Sequence, residues 1–292
     1  MKSIVPIVLM LASLLPVTSA QAEAPALPPV APEVIPLWPD GSPNNPADGP
    51  RPSLEIYRTF APARPAGATI VIVPGGGYGM LSPYEKLMAE YFRGLGYDAV
   101  VVNYRVKPNR YPAAFADALR AIRLVRQHAD EWKLPVRRLA LLGGSAGGHL
   151  AALVATRPDF YRDPQDDLAG TVSARPDRLI LLYPVISATA PYRHRSFDNW
   201  FGAGTPESLR ADVSPELHVT KETPPAILFH ALDDPNVTAD NSIDFARACR
   251  AAGVPVELHL FPTGGHGRTF AYDAQVSPLW RALLQSWLNH WP

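Results

Sequence analysis

Short apolar runs alternate with longer amphipathic stretches along most of this chain. The runs are rich in branched residues and predict strands at residues 54–60, 68–73, 99–103, 138–142, 179–183, 226–230 and 256–261. The longer stretches predict helices at residues 84–95, 113–132, 146–156, 239–252 and 278–290. Several of the strands are apolar throughout, as strands covered on both faces are. The alternation predicts an α/β fold with a mostly parallel central sheet and helices on both faces.

The first 52 residues depart from this alternation. Residues 1–22 begin with Lys2 and an apolar stretch, and small residues follow, which predicts a signal peptide cleaved after Ala22 or Ala20. Residues 23–52 are rich in proline and predict a lead segment lying over the surface of the main domain, with Trp38 docked on it. Residues 53–292 suit one α/β domain. We therefore expect an exported protein, periplasmic or secreted, without stable membrane association after cleavage.

Charge and cysteine content exclude some classes of partner and site. The formal net charge is +0 at pH 7, so nothing indicates a nucleic-acid partner. Cys249 is the one cysteine, which rules out a disulfide within the chain, and no neighbouring residue gives it metal-ligand spacing. We expect Cys249 to pack inside a helix, and we predict no metal site.

A Gly-x-Ser-x-Gly motif lies between a predicted strand and a predicted helix. It reads Gly143-Gly144-Ser145-Ala146-Gly147. A serine at a tight strand-to-helix turn projects its hydroxyl away from the backbone, and glycines leave room for a substrate. Ser145 is therefore the predicted nucleophile. The alternative is a glycine-rich turn whose serine caps a helix.

A glycine-rich loop follows the predicted strand at 68–73. It reads Pro74-Gly75-Gly76-Gly77-Tyr78-Gly79, and we call these residues the oxyanion loop. Backbone N–H groups in such a loop can point together at the oxygen of an ester carbonyl, which becomes an oxyanion during acyl transfer. The predicted donors are Gly76 or Gly77, or both, with Ala146. The alternatives are a phosphate-binding loop and a plain turn. The glycine spacing typical of phosphate-binding loops is absent.

The other two polar groups of a serine hydrolase follow two later strands. Asp233 and Asp234 come after the strand at 226–230, and the spacing favours Asp234 as the acid, with Asp233 shaping the turn or holding the loop backbone. His266 lies between glycines after the strand at 256–261, and imidazole suits a general base near neutral pH. The order Ser145, Asp234, His266 is the order of α/β-hydrolases.

Together with these motifs, other segments make the chain resemble bacterial α/β-hydrolases of the acetylxylan-esterase and feruloyl-esterase-like group of carbohydrate esterases. The resemblance runs from about Leu37 to the end, and also includes Leu37-Trp38-Pro39-Asp40-Gly41 and Asn103-Tyr104-Arg105. It implies an α/β-hydrolase catalytic domain at 53–292 with a small cap or none.

The resemblance also implies a function. It implies hydrolysis of short acyl esters, often acetyl groups on plant-polysaccharide sugars, so the expected partner is an acylated saccharide. The serine mechanism requires no metal or organic cofactor. Tyr78, Met80 and Trp200 are candidate pocket residues. The alternatives are a broad short-chain carboxylesterase or a peptidase on the same fold, or a non-catalytic carbohydrate-binding protein.

Overall fold

The computed structural model describes residues 31–39, 41–43, 51–59, 67–202 and 204–291. The predicted signal peptide and most of the predicted lead segment lie outside the described residues. Every named strand and helix belongs to the unit Pro32–Pro292. Within the described ranges, no helix has the length and apolar character that crossing a bilayer demands.

The strands form one eight-stranded sheet in the order β1-β2-β4-β3-β5-β6-β7-β8. β1 and β2 pair antiparallel at one edge, and the strands from β4 to β8 run parallel. The sequence therefore predicted the mostly parallel sheet correctly. The bounds are β1 Glu33–Pro36, β2 Ser53–Tyr57, β3 Thr69–Val73, β4 Asp98–Asn103, β5 Leu139–Gly144, β6 Arg178–Leu182, β7 Ala226–Ala231 and β8 Val256–Phe261.

The long helices lie where the amphipathic patterns placed them, and short helices were not predicted. The helix predicted over 113–132 ends at Gln127, because the chain turns from His128 onward and Lys133 takes a φ of 52°. The bounds are α1 Tyr84–Gly94, α2 Ala113–Gln127, α3 Ala146–Thr156, α4 Ser196–Trp200, α5 Glu207–Asp212, α6 Asp240–Ala251, α7 Arg268–Tyr272 and α8 Val276–Asn289. Among the described residues between β6 and β7, the helical elements are α4, α5 and a 3₁₀ turn at Pro215–Leu217, which agrees with a small cap.

Alternate residues of the central strands enter two separate cores. In β3, Val71 and Val73 face one core, and Ile70 and Ile72 face the other. Because successive side chains of a strand point to opposite faces of the sheet, an all-apolar strand must be covered by other elements on both faces. Helices α2, α3 and α6 contribute to the first core, and α1 and α8 contribute to the second. The helices therefore lie on both faces, as predicted.

Part of the proline-rich lead segment is built into the sheet. Residues Glu33–Pro36 form β1, which pairs with β2, so this stretch is an edge strand rather than a segment lying over the surface. The sequence missed it because only four residues between prolines take part. Trp38 follows directly, is 5% exposed and donates its indole N–H to Asp117 Oδ1 at 2.7 Å.

The polar side of α2 is buried rather than solvated. Asp117 is fully buried and accepts hydrogen bonds from the Arg105 backbone N–H at 2.8 Å and from its guanidinium at 2.8–3.1 Å. One turn further on, Arg120 and Arg123 share Asp166 at 2.7 and 2.5 Å. These buried ion pairs connect α2 to the segment that follows α3.

Replacing Asp117 with alanine should strongly destabilise the fold. The substitution leaves the Arg105 guanidinium buried without its carboxylate, and losing one partner of a buried pair costs about 3–5 kcal/mol. Urea unfolding followed by circular dichroism measures this loss. Asp167→Ala is the matched control, because Asp167 also pairs with an arginine of this region but its side chain is 75% exposed. The control should lose less than about 1 kcal/mol. Equal losses in the two variants would contradict the prediction.

Candidate active site

Ser145 lies at a strained turn between β5 and α3. It takes φ 54° and ψ −123°, a region that costs a non-glycine residue roughly 1–3 kcal/mol. The glycines on either side permit the turn, since a Cβ at Gly143 would lie 2.2 Å from Gly147 O, and one at Gly147 would lie 2.2 Å from Val73 O. The Ser145 N–H donates to Leu182 O at 3.0 Å, which ties the turn to the end of β6.

The structure brings Ser145, His266 and Asp234 into one hydrogen-bonded chain. His266 Nε2 lies 2.9 Å from Ser145 Oγ. On the opposite side of the ring, His266 Nδ1 lies 2.6 Å from Asp234 Oδ2. The three side chains come from the ends of β5, β7 and β8. Because carboxyl ends of parallel strands share one edge of a sheet, three distant sequence segments meet there.

Asp234 is held as an ionised carboxylate. Its side chain is fully buried, and its Oδ1 accepts the backbone N–H groups of Asn236 at 2.8 Å and Val237 at 3.0 Å. Burial tends to raise the pKa of this carboxyl, but hydrogen bonds from two histidines and from the Val237 N–H outweigh burial and hold the pKa well below its usual range.

The neighbouring acid, Asp233, has a different partner. Its Oδ1 accepts the backbone N–H of Gly265 at 2.8 Å. Asp233 therefore ties the loop after β7 to the loop that carries His266, while Asp234 contacts the imidazole itself. This division matches the role predicted for Asp233 if Asp234 is the acid.

The buried side chain of His230 contacts Asp234, and the sequence analysis missed this contact. His230 is fully buried, and its Nε2 lies 3.0 Å from Val237 O and 3.4 Å from Asp234 Oδ2. Because a carbonyl oxygen only accepts, Nε2 carries the proton. On the other side of the ring, Nδ1 is hydrogen-bonded to Ser242 Oγ at 2.8 Å. In the sequence, the four-residue spacing between His230 and Asp234 was the only indication of this contact.

The oxyanion loop turns sharply beside the nucleophile. Gly76 has φ 114° and Gly77 has φ 65°, and a Cβ at Gly76 would lie 2.2 Å from Met80 O. The Gly76 carbonyl accepts the N–H groups of Gly79 and Met80, both at 3.2 Å, so it points away from the amide groups needed for an oxyanion. Ala146 is the first residue of α3, so its N–H has no acceptor within the helix.

Ser145, His266, Gly76 and Gly77 line a single cavity of about 700 Å³. Met80, a predicted pocket residue, is 57% exposed at its rim. The remaining walls combine tyrosines with polar side chains, a mixture typical of small-molecule sites. The other lining residues are Gly75, Ser82, Tyr84, Glu85, Tyr183, His194, Arg195, Ser196, Asp198, Asn199, Asn236 and Gly267.

Tyr78 and Trp200 do not line this cavity, which corrects the prediction for both residues. Tyr78 takes φ 58°, which turns its ring into the core, where it stacks on Trp200 at a centroid distance of 4.7 Å. Each of the two is 1% exposed. The Tyr78 side chain and Trp200 therefore pack in the core, outside this cavity, and support the oxyanion loop instead of touching a substrate.

A buried histidine completes this support. His149 Nε2 donates to Val213 O at 2.7 Å, and burial lowers the pKa of His149 to about 4. The ring is therefore neutral near pH 7, and its Nδ1 accepts the Tyr78 hydroxyl at 2.6 Å. The hydrogen bond fixes Tyr78, and with it the oxyanion loop.

The polar wall of the cavity comes from the segment 194–199, which directly precedes the candidate pocket residue Trp200. Asn199 Nδ2 donates to Gly77 O at 2.9 Å, linking α4 to the oxyanion loop. Arg110 holds the same helix from outside, through the backbone carbonyls of Asp198 and Asn199 at 2.8 and 3.1 Å. Among the residues that the structure describes, no group of histidines, cysteines and carboxylates is arranged to hold a metal ion.

Comparison with protein families and relatives gives consistent matches. The BD-FAE family model matches residues 54–249. An acetylxylan esterase of Xylanibacter ruminicola is 33% identical over 242 residues, which cover 80% of this chain and 48% of the relative. An endo-1,4-beta-xylanase B of Butyrivibrio fibrisolvens is 34% identical over 212 residues, which cover 70% of this chain and 33% of the relative. The chain thus spans a third to a half of the length of these two relatives.

Two solved structures share the fold. The acetyl ester-xyloside bifunctional hydrolase from Caldicellulosiruptor lactoaceticus superposes with a TM-score of 0.80 at 36% identity, covering 91% of this chain and 98% of that one. The propionate-bound esterase Est2 of Thermogutta terrifontis has a TM-score of 0.70 at 29% identity, covering 88% of this chain and 94% of that one. Both matches extend over nearly the whole of the known structures.

Proposed function

The chain belongs to the BD-FAE family, a group of α/β-hydrolases that includes carboxylic-ester hydrolases, and from this premise we propose that it is an exported serine esterase acting on short acyl esters of carbohydrates. The single observation that carries the proposal is the hydrogen-bonded chain from Asp234 through His266 to Ser145 at a cavity of about 700 Å³. Acetyl is the expected acyl group.

In the proposed acylation step, His266 Nε2 takes the proton of Ser145 as Oγ attacks the carbonyl carbon of the ester. The 2.9 Å separation of Nε2 and Oγ suits a direct proton transfer. The carbonyl oxygen becomes an oxyanion, which the N–H groups of Ala146 and of Gly76 or Gly77 would stabilise. The carbon–oxygen bond to the alcohol then breaks, and the imidazolium protonates the leaving oxygen.

In the proposed deacylation step, water takes the place of the alcohol. His266 removes a proton from water, and the resulting hydroxide attacks the acyl carbon on Ser145. The ester bond to Oγ breaks, the serine recovers its proton and the carboxylic acid leaves. Asp234 accepts the Nδ1 hydrogen bond throughout, which keeps Nε2 free to exchange the proton.

The composition of the cavity supports a polar leaving group. The segment 194–199 presents His194, Arg195, Asp198 and Asn199, which offer donors and acceptors that sugar hydroxyls can use. The acetylxylan esterase and the acetyl ester-xyloside hydrolase among its relatives point to the same class of ester. A broad short-chain carboxylesterase is the second candidate, since an ethyl acetate hydrolase of Pseudomonas putida is 29% identical over 220 residues.

Acetate release from matched esters tests the proposed substrate class. We expect kcat/KM for acetylated xylo-oligosaccharides to exceed that for ethyl acetate by about tenfold or more, because each hydrogen bond to a sugar hydroxyl contributes about 1 kcal/mol. Feruloyl and long-chain esters provide the comparison of acyl size, and an aminoacyl amide tests for peptidase activity. Equal kcat/KM for ethyl acetate and the acetylated sugar would favour the broad carboxylesterase.

The proposed export rests on the predicted signal peptide at residues 1–22. Expression of the full chain in a Gram-negative host, followed by fractionation and N-terminal sequencing, tests this part. We expect the protein outside the cytoplasm with a new N-terminus at Gln21 or Glu23. An uncleaved chain in the cytoplasm would contradict it.

A further inference from the structure

A buried carboxyl group that the proposed mechanism does not use lies in the wall of the active-site cavity. Glu85, in the first turn of α1, is 4% exposed and yet is one of the cavity-lining residues. Buried glutamates are uncommon unless a cation or several hydrogen bonds stabilise the charge. The contacts of Glu85 therefore need a physical explanation.

One oxygen of Glu85 holds the oxyanion loop. Oε1 accepts the backbone N–H of Gly75 at 3.0 Å, in a buried hydrogen bond. Gly75 directly precedes Gly76 and Gly77, whose amide groups are the proposed oxyanion donors. This hydrogen bond thus fixes the start of the oxyanion loop, where the chain leaves β3 and before the sharp turn at Gly76.

The same carboxyl group lies next to the nucleophile. A Cβ atom added at Gly75 would be 3.3 Å from Glu85 Oε1 and 3.4 Å from Ser145 Cβ, so the carboxyl group and the serine flank one glycine. A Cβ at Gly144 would be 3.4 Å from the same Oε1 and 3.3 Å from the Tyr183 hydroxyl oxygen. Glu85 therefore lies beside the turn that carries the proposed nucleophile.

The surroundings of Glu85 do not compensate a negative charge. Within the described part of the chain, no lysine, arginine or histidine forms an ion pair with it, and its Oε2 is buried without a hydrogen-bond partner. The titratable groups that face it are the phenols of Tyr104, Tyr183 and Tyr272. Burial raises the pKa of Glu85, and the nearby Ser82 hydroxyl and the backbone N–H groups of Gly75 and Glu85, which lower the pKa, only partly oppose this effect.

We propose that Glu85 is a positioning residue of the proposed ester hydrolysis, with a neutral carboxyl group that anchors Gly75 and keeps negative charge away from the oxyanion. The inference rests on the proposed function of the same cavity. An ionised Glu85 would repel the developing oxyanion at short range, in a site where water screens charge poorly. A neutral carboxyl group keeps the hydrogen bond to Gly75 without this repulsion.

The ratio of kcat in Glu85→Gln to kcat in the wild type, measured with an aryl acetate across pH, tests the proposal. Glutamine has nearly the same shape, accepts the Gly75 N–H and never ionises. We expect a ratio near one at acidic pH and a rise of about ten- to a hundredfold as pH increases through the raised pKa of Glu85. Taking the ratio cancels the pH effects that both proteins share.

Thermal unfolding of the same two proteins provides a readout independent of activity. Below about pH 4.5, the Glu85 carboxyl group of the wild type is protonated in both the folded and the unfolded state. Above that pH the unfolded chain releases the proton first, so the wild type loses stability as pH rises toward the raised pKa of the folded state. The Tm of Glu85→Gln should therefore gain about 2–4 °C on the wild type as pH rises from about 4.5 toward that raised pKa. Glu131→Gln is the control, because Glu131 is 70% exposed, and its Tm difference from the wild type should not grow.

Glu85→Leu tests the anchor alone. Leucine cannot accept the Gly75 N–H, so the oxyanion donors shift and kcat should fall about 10- to 100-fold with little change in KM. Two outcomes would overturn the proposal: a kcat ratio for Glu85→Gln that stays flat across pH, or one that falls far below one while the variant remains folded. Wild-type protein with no turnover of the aryl acetate, or turnover that does not depend on Ser145, would instead refute the proposed function.

Discussion

Replacement of Ser145 with alanine should lower kcat for an aryl acetate about 10⁴- to 10⁶-fold while the protein remains folded. In the proposed mechanism the Ser145 hydroxyl oxygen forms the acyl-enzyme, and among the described residues Ser145 is the one nucleophile hydrogen-bonded to His266 Nε2. Alanine fits the turn in size, so the change removes chemistry without adding a clash. Burst kinetics and steady-state turnover measure the loss, and circular dichroism checks the fold.

Ser286→Ala is the matched control, because Ser286 is exposed in α8, remote in sequence from the loops that carry the proposed site. It should keep wild-type turnover. A fluorophosphonate probe should label the wild type and the control, but not Ser145→Ala. If Ser145→Ala retained even a tenth of the activity, the proposed nucleophile would be wrong.

The parts of the fold that the sequence predicted well are those where one local pattern decides the structure. The apolar runs predicted β3 to β8 within about two residues at each end. For β3 to β7, which are buried along almost their whole length, the reason is that strands covered on both faces tolerate few polar residues. Strand β1 escaped prediction because its stability comes from pairing with β2, not from its own four residues. The end of α2 was overestimated because the apolar spacing continues to Trp132 after the helix has ended.

The sequence also indicated which residues meet at the site, because each follows its own parallel strand. It did not indicate the direction of individual side chains. Tyr78 lies within the oxyanion loop, yet its positive φ points the ring at Trp200 and His149, away from the cavity. A backbone angle of this kind depends on the packing of α4 and α3, which no local pattern specifies.

Contacts between distant segments were beyond the sequence analysis for the same reason. Glu85 in α1 reads as an ordinary acid in the first turn of a helix, where a carboxylate suits the helix dipole. Only the fold places it under Gly75 and beside Ser145. Likewise, the polar side chains at 194–199 read as a surface stretch until Asn199 reaches Gly77.

Asp234→Asn should reduce kcat about 10⁴-fold, the second largest effect that we expect from a single substitution in this chain. The amide can donate to His266 Nδ1, which favours the tautomer with its proton on Nε2, and that nitrogen then cannot accept the Ser145 proton. The substitution also removes the charge that stabilises the imidazolium. Because the pKa of Asp234 is held well below its usual range, the wild type keeps this charge throughout the neutral and alkaline range, so the defect should not recover with pH.

Asp233→Asn distinguishes the loss of a nearby negative charge from the loss of the contact with His266. Its Oδ1 contacts only the Gly265 N–H, at 2.8 Å, and an asparagine oxygen accepts the same bond. We expect kcat within about tenfold of the wild type, since a neutral hydrogen bond to the loop is about half as strong as a charged one. Both variants remove one negative charge from the same loop, so a 10³-fold difference between them would point to the contacts that Asp234 alone makes, chiefly the one with the His266 imidazole. If Asp233→Asn were the inactive one, the acid would be Asp233, and the hydrogen bond between Asp234 and His266 would not be the one that catalysis uses.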